Sequence, residues 1–328
     1  MWVSRFEIRN RLDHIKPLPD EGIWLRWLRG GLGFSLKEFS CLGLCDSPLV
    51  FHTKSPCHVA TCVYSNGFLN TFNPSSSPTA YRFALSAPKL VVRQNKSSQY
   101  QDFIFTLFGP HVKEANLWFL AIKRTLLIGI GKNKDSYIIT KLIDQFNKKE
   151  IWSSNLNYGD NQLENKLHCT DDMTLTSFLD KDSALGYDPK QVQIIFITPL
   201  ETKLCETRTR NGPIYLNLED ILLLIIRRLT ALYDSYGIKN SNQVTRPHIS
   251  RQMIQNLCFG TRLKVANLEK RPAARRGGPT RLIGKLIFSL PASYESLHAI
   301  RKILRIGQLI GIGRGTIEGR GTYYLKFS

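Results

Sequence analysis

The chain has 328 residues, 42% of them hydrophobic and 22% charged, which excludes a wholly disordered polypeptide and is length enough for two ordinary domains. Lys and Arg outnumber Asp and Glu by 45 to 26, and the resulting charge of +19 points to a polyanionic partner. No apolar run approaches the roughly 18 residues of a membrane span, the start MWVSRFEIRNR lacks a signal-peptide core, and the seven cysteines are an odd number, so a cytoplasmic chain with no disulfide framework and no membrane partner is expected.

In chain order, Val3 to Arg11 predicts a strand and Gly22 to Phe39 a helix. Arg26 and Arg29 stand one turn apart on that helix, facing either a nucleic acid or plain solvent. Strand material follows between Tyr81 and Gln94, interrupted by Pro88. Phe103 to Phe108 predicts a strand, Ala115 to Ile128 a helix, Gly129 and Gly131 a turn, and Tyr137 to Leu142 a strand. Cys41, Cys45, Cys57 and Cys62 crowd together with His58 among them. Their spacing, C-x3-C-x11-C-x4-C, is not a tidy zinc pattern. Buried, reduced thiols are the favoured reading, and no metal or cofactor is expected.

From Glu150 to Lys190 the chain holds 8 acids and 3 lysines, a polar stretch with little periodicity. It reads as a surface insertion or linker near 150–190 that closes an N-terminal domain of residues 1–188. The second domain, 189–328, reads more cleanly. Val192 to Pro199 predicts a buried strand. Asn217 can cap a helix through ILLLIIRRLTALYDSY, with Glu219 and Asp220 in its first turn and Gly237 at its stop. Strands at Arg262 to Leu268 and Leu282 to Leu290, a helix at Ser293 to Ile306 and a strand at Thr322 to Phe327 complete the order βαββαβ. The N-terminal half shows a similar order. The expected fold class is therefore α+β, two tandem ferredoxin-like, RRM-like domains.

The C-terminal end is strongly basic, with 14 Lys and Arg against 3 acids from Gly260 to Ser328. Lys270, Arg271, Arg275, Arg276 and Arg281 contain no acid between them and would join the middle strands of a ferredoxin-like domain. A basic hairpin of that kind suits RNA contact. The segment GQLIGIGRGTIEGRG follows a helix and precedes a strand, so it is not a nucleotide-binding fingerprint. Gly311, Gly313, Gly315 and Gly319, with Arg314 and Arg320, could bring amides and guanidiniums to phosphates. The alternative is a turn that packs the last strand. The shorter IGIGK at Ile128 to Lys132 echoes this segment, as an internal duplication would.

LIGIGRGTIEGRGTYYL resembles the C-terminal signature of the CRISPR-associated repeat-cleaving endoribonucleases, the "Cas six" branch of the RAMP superfamily. LRGGLGF resembles that family's first helix, and CHVATCVYSNGF its Cys–Cys-x-Tyr segment. FIFTLFGPHVKEANLWFLAIKRTLLIGIG resembles the strand, helix and glycine turn that close its first domain. LEDILLLIIRRLTALYDSYG and RPAARRGGPTRLIGKL resemble a helix and a basic loop of its second.

The resemblance implies metal-independent cleavage of precursor CRISPR RNA. The ribose 2′-OH attacks the adjacent phosphate, leaving a 2′,3′-cyclic phosphate and a 5′-OH. A base takes the 2′-OH proton, and an acid or cation serves the leaving oxygen. The family's site lies near the first helix or the loop after it. Of the seven histidines, that favours His52 and His58, with Lys54 as a cation and Tyr64 as a proton donor. The implied partners are CRISPR repeat RNA and other CRISPR effector subunits. The alternative is a non-catalytic RAMP subunit that binds RNA in an effector complex.

Overall fold

The structure is a computed structural model that describes residues 3–13, 21–41, 62–69, 82–86, 94–95, 98–154, 189–202, 216–235, 249–271, 281–313, 315–316 and 319–328. The chain divides into two compact units, Met1–Thr174 with Asp234–Gly237, and Leu175–Tyr233 with Ile238–Ser328.

In the first unit, β1 (Val3–Leu12) alternates between inward and outward positions, and Phe6, Ile8 and Leu12 point into the core. Helix α1 (Glu21–Ser40) follows, then a π-helical segment at Tyr64–Leu69. Strand β2 (Phe83–Ser86), the short hairpin of β3 (Gln94–Asn95) and β4 (Ser98–Tyr100), and β5 (Phe103–Phe108) come next. Helix α2 (Ala115–Ile128), β6 (Ile138–Asp144) and β7 (Lys149–Ser153) complete the unit. The sheet runs β2-β5-β1-β6-β7, all antiparallel, with β4 also pairing the end of β1. The first and last strands of the βαββαβ unit lie side by side within it, the ferredoxin-like order.

Helices α1 and α2 pack closely because their facing residues allow it. Leu25, Leu28, Leu32 and Leu36 recur at helical spacing and are fully buried. Between them, a Cβ on Gly31 would lie 2.5 Å from Thr125 Cγ2, and the Ser35 and Thr125 hydroxyls hydrogen-bond at 2.8 Å. Gly31 and Gly33 of LRGGLGF thus serve packing, a Cβ on Gly33 lying 2.6 Å from the Phe68 ring.

The second unit repeats the plan. It comprises β8 (Gln191–Glu201), α3 (Leu218–Ser235), α4 (Arg251–Leu257), β9 (Arg262–Arg271), β10 (Arg281–Ser289), α5 (Tyr294–Ile310) and β11 (Tyr323–Phe327). The sheet order is β11-β8-β10-β9, all antiparallel, again with the first and last strands adjacent. The core joins Val192, Ile194 and Phe196 of β8 to Leu282, Leu286 and Phe288 of β10 and to apolar stripes of α3 and α5. At the start of α3, the Asn217 N–H donates to Asp220 Oδ2 at 3.1 Å, the carboxylate half of a capping box. Ser293 caps α5, and its hydroxyl accepts from the Ser296 N–H.

Among the elements that differ from the sequence reading are β7 and α4. Lys149–Ser153 is a strand on β6, so the acidic stretch begins inside a sheet rather than as a linker. Arg251–Leu257 is a helix of seven residues with only Ile254 buried, too short and polar to show a period. The rest of the acidic stretch, 155–188, and the expected helix stop at Gly237 lie outside the described residues.

Candidate nucleic-acid interface

The glycine loop is folded onto its own protein. Gly311, Gly313, Gly315, Gly319 and Gly321 all have positive φ, between +67° and +79°. A Cβ on Gly313 would lie 2.5 Å from the Glu201 carbonyl oxygen, and one on Gly321 would overlap the Ile312 carbonyl. The N–H groups of Gly311, Ile312, Gly319, Arg320 and Gly321 donate to the carbonyls of Gly307, Gly321, Thr316, Gly315 and Pro199. The hydroxyls of Thr198 and Thr322 both donate to the Gly319 carbonyl, at 2.5 and 3.0 Å. Those amides, which the sequence offers to a phosphate, are committed inside the fold. Arg320 likewise pairs with Glu201, and both side chains are nearly buried. Gly315 differs, since a Cβ there would meet only the flexible Arg320 side chain, 2.9 Å from Cδ. Arg314 lies outside the described residues.

The echo in the first unit has the same geometry. Helix α2 ends at Gly129, with φ +99°, whose N–H returns to the Thr125 carbonyl as the Gly311 N–H returns to Gly307. Gly131 follows at φ +81°, and a Cβ there would lie 2.7 Å from the Trp27 ring.

Strand β9 forms the sheet edge and is exposed along most of its length. Its pairing places Arg271 directly opposite Arg281, with Lys270 opposite Leu282. On the other side Arg281 lies opposite Glu201, the residue that holds Arg320. The structure thus brings the base of the hairpin and the glycine loop into one row, Arg271–Arg281–Glu201–Arg320. Glu269 also accepts from Arg271, at 3.2 Å. Like charges placed opposite each other weaken a strand pair unless an anion bridges them. Arg275 and Arg276 lie outside the described residues.

In the first unit, Arg29 and Tyr64 meet at Phe68. The Arg29 guanidinium lies 5.4 Å from the Phe68 centroid, and the Tyr64 ring stacks on Phe68 at 5.6 Å and 14°. The Tyr64 N–H donates to Ser40 Oγ, tying this segment to the end of α1. Arg26 is half-buried on α1. His52, Lys54 and His58 lie outside the described residues, as do Cys45 and Cys57. Cys62 is buried and Cys41 half-buried, and no group of three or more metal-ligating side chains occurs among the described residues.

Sequence reasoning assigned no role to His111. It is 3% exposed, and its Nδ1 lies 2.5 Å from Glu114 Oε2 and its Nε2 3.0 Å from Arg82. Arginine only donates, so Nε2 accepts and the ring proton sits on Nδ1, facing the carboxylate. The partner three residues on, in HVKE, is the signal that could have found this pair.

No family profile and no curated protein matches the chain. Solved structures do. A partial complex of Cas6–RT–Cas1 with Cas2 matches with TM-score 0.58 and 12% identity, over 100% of this chain and 46% of that one. A fuller form of the same complex matches over 29% of its chain, so this chain spans less than half the length of the first two structures. A Cas6 product complex matches with TM-score 0.55 and 12% identity, over 98% of this chain and 99% of that one. Cas6 of Thermus thermophilus matches with TM-score 0.52 and 12% identity, over 99% and 98%. The class is an α+β protein of two tandem ferredoxin-like units. More narrowly, its fold is that of Cas6 proteins along the whole chain.

Proposed function

We propose that this protein binds CRISPR repeat RNA and processes precursor crRNA as an endoribonuclease. The observation that carries the reading is the likeness to Cas6 over essentially the full length of both chains, one of the matched structures being a product complex. The row of arginines at the base of a basic edge hairpin supports it. In this reading Lys270, Arg271, Arg275, Arg276 and Arg281 hold the RNA, with Arg26, Arg29 and Arg314 contributing. Gly311, Gly313, Gly315, Gly319 and Arg320 shape the surface beside the hairpin.

The chemistry needs no metal. The substrate 2′-OH gives its proton to a base, its oxygen bonds to phosphorus, and the bond from phosphorus to the 5′-oxygen breaks as that oxygen is protonated. His52 or His58 supplies the base, Lys54 the cation at the phosphorane, and Tyr64 a proton. Domains of 1–188 and 189–328 and the involvement of other CRISPR effector subunits belong to the same proposal.

The test is incubation with the host's repeat RNA in EDTA. Cleavage to 2′,3′-cyclic phosphate and 5′-OH ends is expected, and a 2′-deoxy substitution just upstream of the cut should abolish it while binding persists. His52→Ala or His58→Ala should slow cleavage by roughly 10²–10⁴. If both single variants cut at the full rate, the base lies elsewhere. Tight binding with no cleavage, with or without metal, favours the RNA-binding subunit of an effector complex.

A further inference from the structure

Helix α5 carries a second basic face, at the opposite edge of its sheet from the β9–β10 hairpin. Its inward side holds Leu297, Ile300, Ile303 and Leu304. Tyr294, His298, Arg301 and Arg305 follow one another at spacings of four, three and four along the other side. Eleven residues of helix separate the first from the last, about 16 Å at the α-helical rise.

The two ends of this stripe differ in chemistry. At one end Tyr294 is 67% exposed, and its ring is stacked on His298 with centroids 6.0 Å apart and planes at 8°. At the other end, the guanidiniums of Arg301 and Arg305 each lie 5.5 Å from the centroid of Phe327, on edge strand β11. Cations one turn apart on a helix repel, and a ring quadrupole offsets only part of that cost. Arg305 donates to Gln308 at 3.1 Å, and no described carboxylate pairs with Arg301.

An exposed aromatic stack beside paired guanidiniums matches a base followed by its phosphates. A duplex keeps its bases stacked inside and would leave Tyr294 idle. An acidic peptide would satisfy the arginines and leave the ring stack without a partner. We propose that this face of α5 binds a single-stranded polynucleotide, with a base on the Tyr294–His298 stack and phosphates on Arg301 and Arg305. The proposal deepens the RNA-processing reading, on which it rests for the identity of the strand: the strand would be RNA continuing beyond the segment held at the hairpin.

The test is fluorescence anisotropy of the full chain with a fluorescein-labelled oligouridylate of about twelve nucleotides, within the range of site sizes of single-strand binders. An oligothymidylate of the same length is the second probe. Tyr294→Ala should weaken binding of oligouridylate about tenfold. Arg301→Gln with Arg305→Gln should reduce the salt slope by about 1.4, for two phosphate contacts on a single strand. Arg301→Lys with Arg305→Lys should keep that slope, and thermal melts should show all variants folded at the assay temperature. Tighter binding of oligouridylate than of oligothymidylate assigns RNA, while equal binding extends the site to either strand. Wild-type affinity and slope in the Tyr294 and glutamine variants overturn the proposal, as does a wild-type chain that binds neither probe. Repeat-RNA cleavage is read on the wild-type chain separately. A chain that binds oligouridylate through α5 and never cuts the repeat keeps this site and loses the nuclease reading.

Discussion

The Tyr323 hydroxyl donates to the Leu304 carbonyl at 2.5 Å, joining the last strand to the middle of α5 in the core of the second unit. Burial pushes the phenol well above its ordinary pKa, so it stays a neutral donor. The approach depends on Gly307, where a Cβ would overlap the Tyr323 hydroxyl and lie 2.6 Å from Ile225. The glycine just before LIGIG is therefore a packing residue of the helix.

Gly307→Ala should destabilise the chain by about 1–3 kcal/mol, the usual cost of overpacking a filled core. Tyr323→Phe should cost about 1 kcal/mol, one buried hydrogen bond. The double variant should lose less than the sum, because the hydroxyl that the methyl meets is gone. Urea denaturation of the four proteins reads the coupling, and strict additivity would contradict the overlap.

The glycine loop should prove sensitive through stability first. Gly321→Ala and Gly313→Ala each place a Cβ against a backbone carbonyl at positive φ, where nothing flexible can yield. Both should lower the melting temperature strongly. Gly315→Ala meets a movable Arg320 chain and should pay chiefly the left-handed backbone cost, about 1 kcal/mol. Differential scanning calorimetry gives the order, and a Gly313 variant that melts like wild type would return that position to a ligand-facing role.

How much of this was legible in the sequence depends on how local each cause is. Phe103–Phe108 and Ala115–Ile128 match their predicted bounds, because an apolar run and a helical stripe are local patterns broken by Gly109 and Gly129. Strand β7 escaped notice because KEIWS is short and its first two residues are exposed. The position of the glycine loop was legible, but the use of its amides was not. The Gly321 amide goes to the Pro199 carbonyl, the Gly319 carbonyl to the Thr198 hydroxyl and the Arg320 side chain to Glu201, all more than a hundred residues earlier in the chain, and only the β8–β11 pairing brings them together. The meeting of Arg271 with Arg281 depends likewise on hairpin register.

Cys258 follows helix α4 near Glu219, which also accepts from Arg251 and Gln255. Burial first, and the Glu219 charge second, push its thiol up to about 12 from an ordinary 9.0. The thiolate form is thus penalised in the folded state. The folded chain keeps this proton where the unfolded chain loses it, so stability is full below pH 9 and falls as pH rises toward about 12. Alkylation at pH 8.5, followed by peptide mapping, should label Cys258 slowly in the native protein and quickly in urea. Cys258→Ser should lose less stability than wild type between neutral and alkaline pH. Rapid native labelling would contradict the assigned burial of the thiolate.

The hairpin prediction separates binding from folding. The Arg271 side chain is 54% exposed, its ion pair with Glu269 is exposed as well, and it stands opposite the like charge of Arg281. An exposed pair is worth at most about 1 kcal/mol and the opposed arginines cost a similar amount, so the two nearly cancel. Arg271→Gln should therefore leave stability within about 0.5 kcal/mol of wild type. If repeat RNA sits on this edge, the same change should weaken its binding and reduce the salt slope by roughly 1, one phosphate contact. Adding Arg275→Gln and Arg276→Gln should flatten the slope further. Binding titrations at several salt concentrations, beside urea melts, read both quantities on the same proteins. A triple variant with the wild-type slope would move the RNA away from this edge, and a large loss of stability would mean that Arg271 is held by the fold.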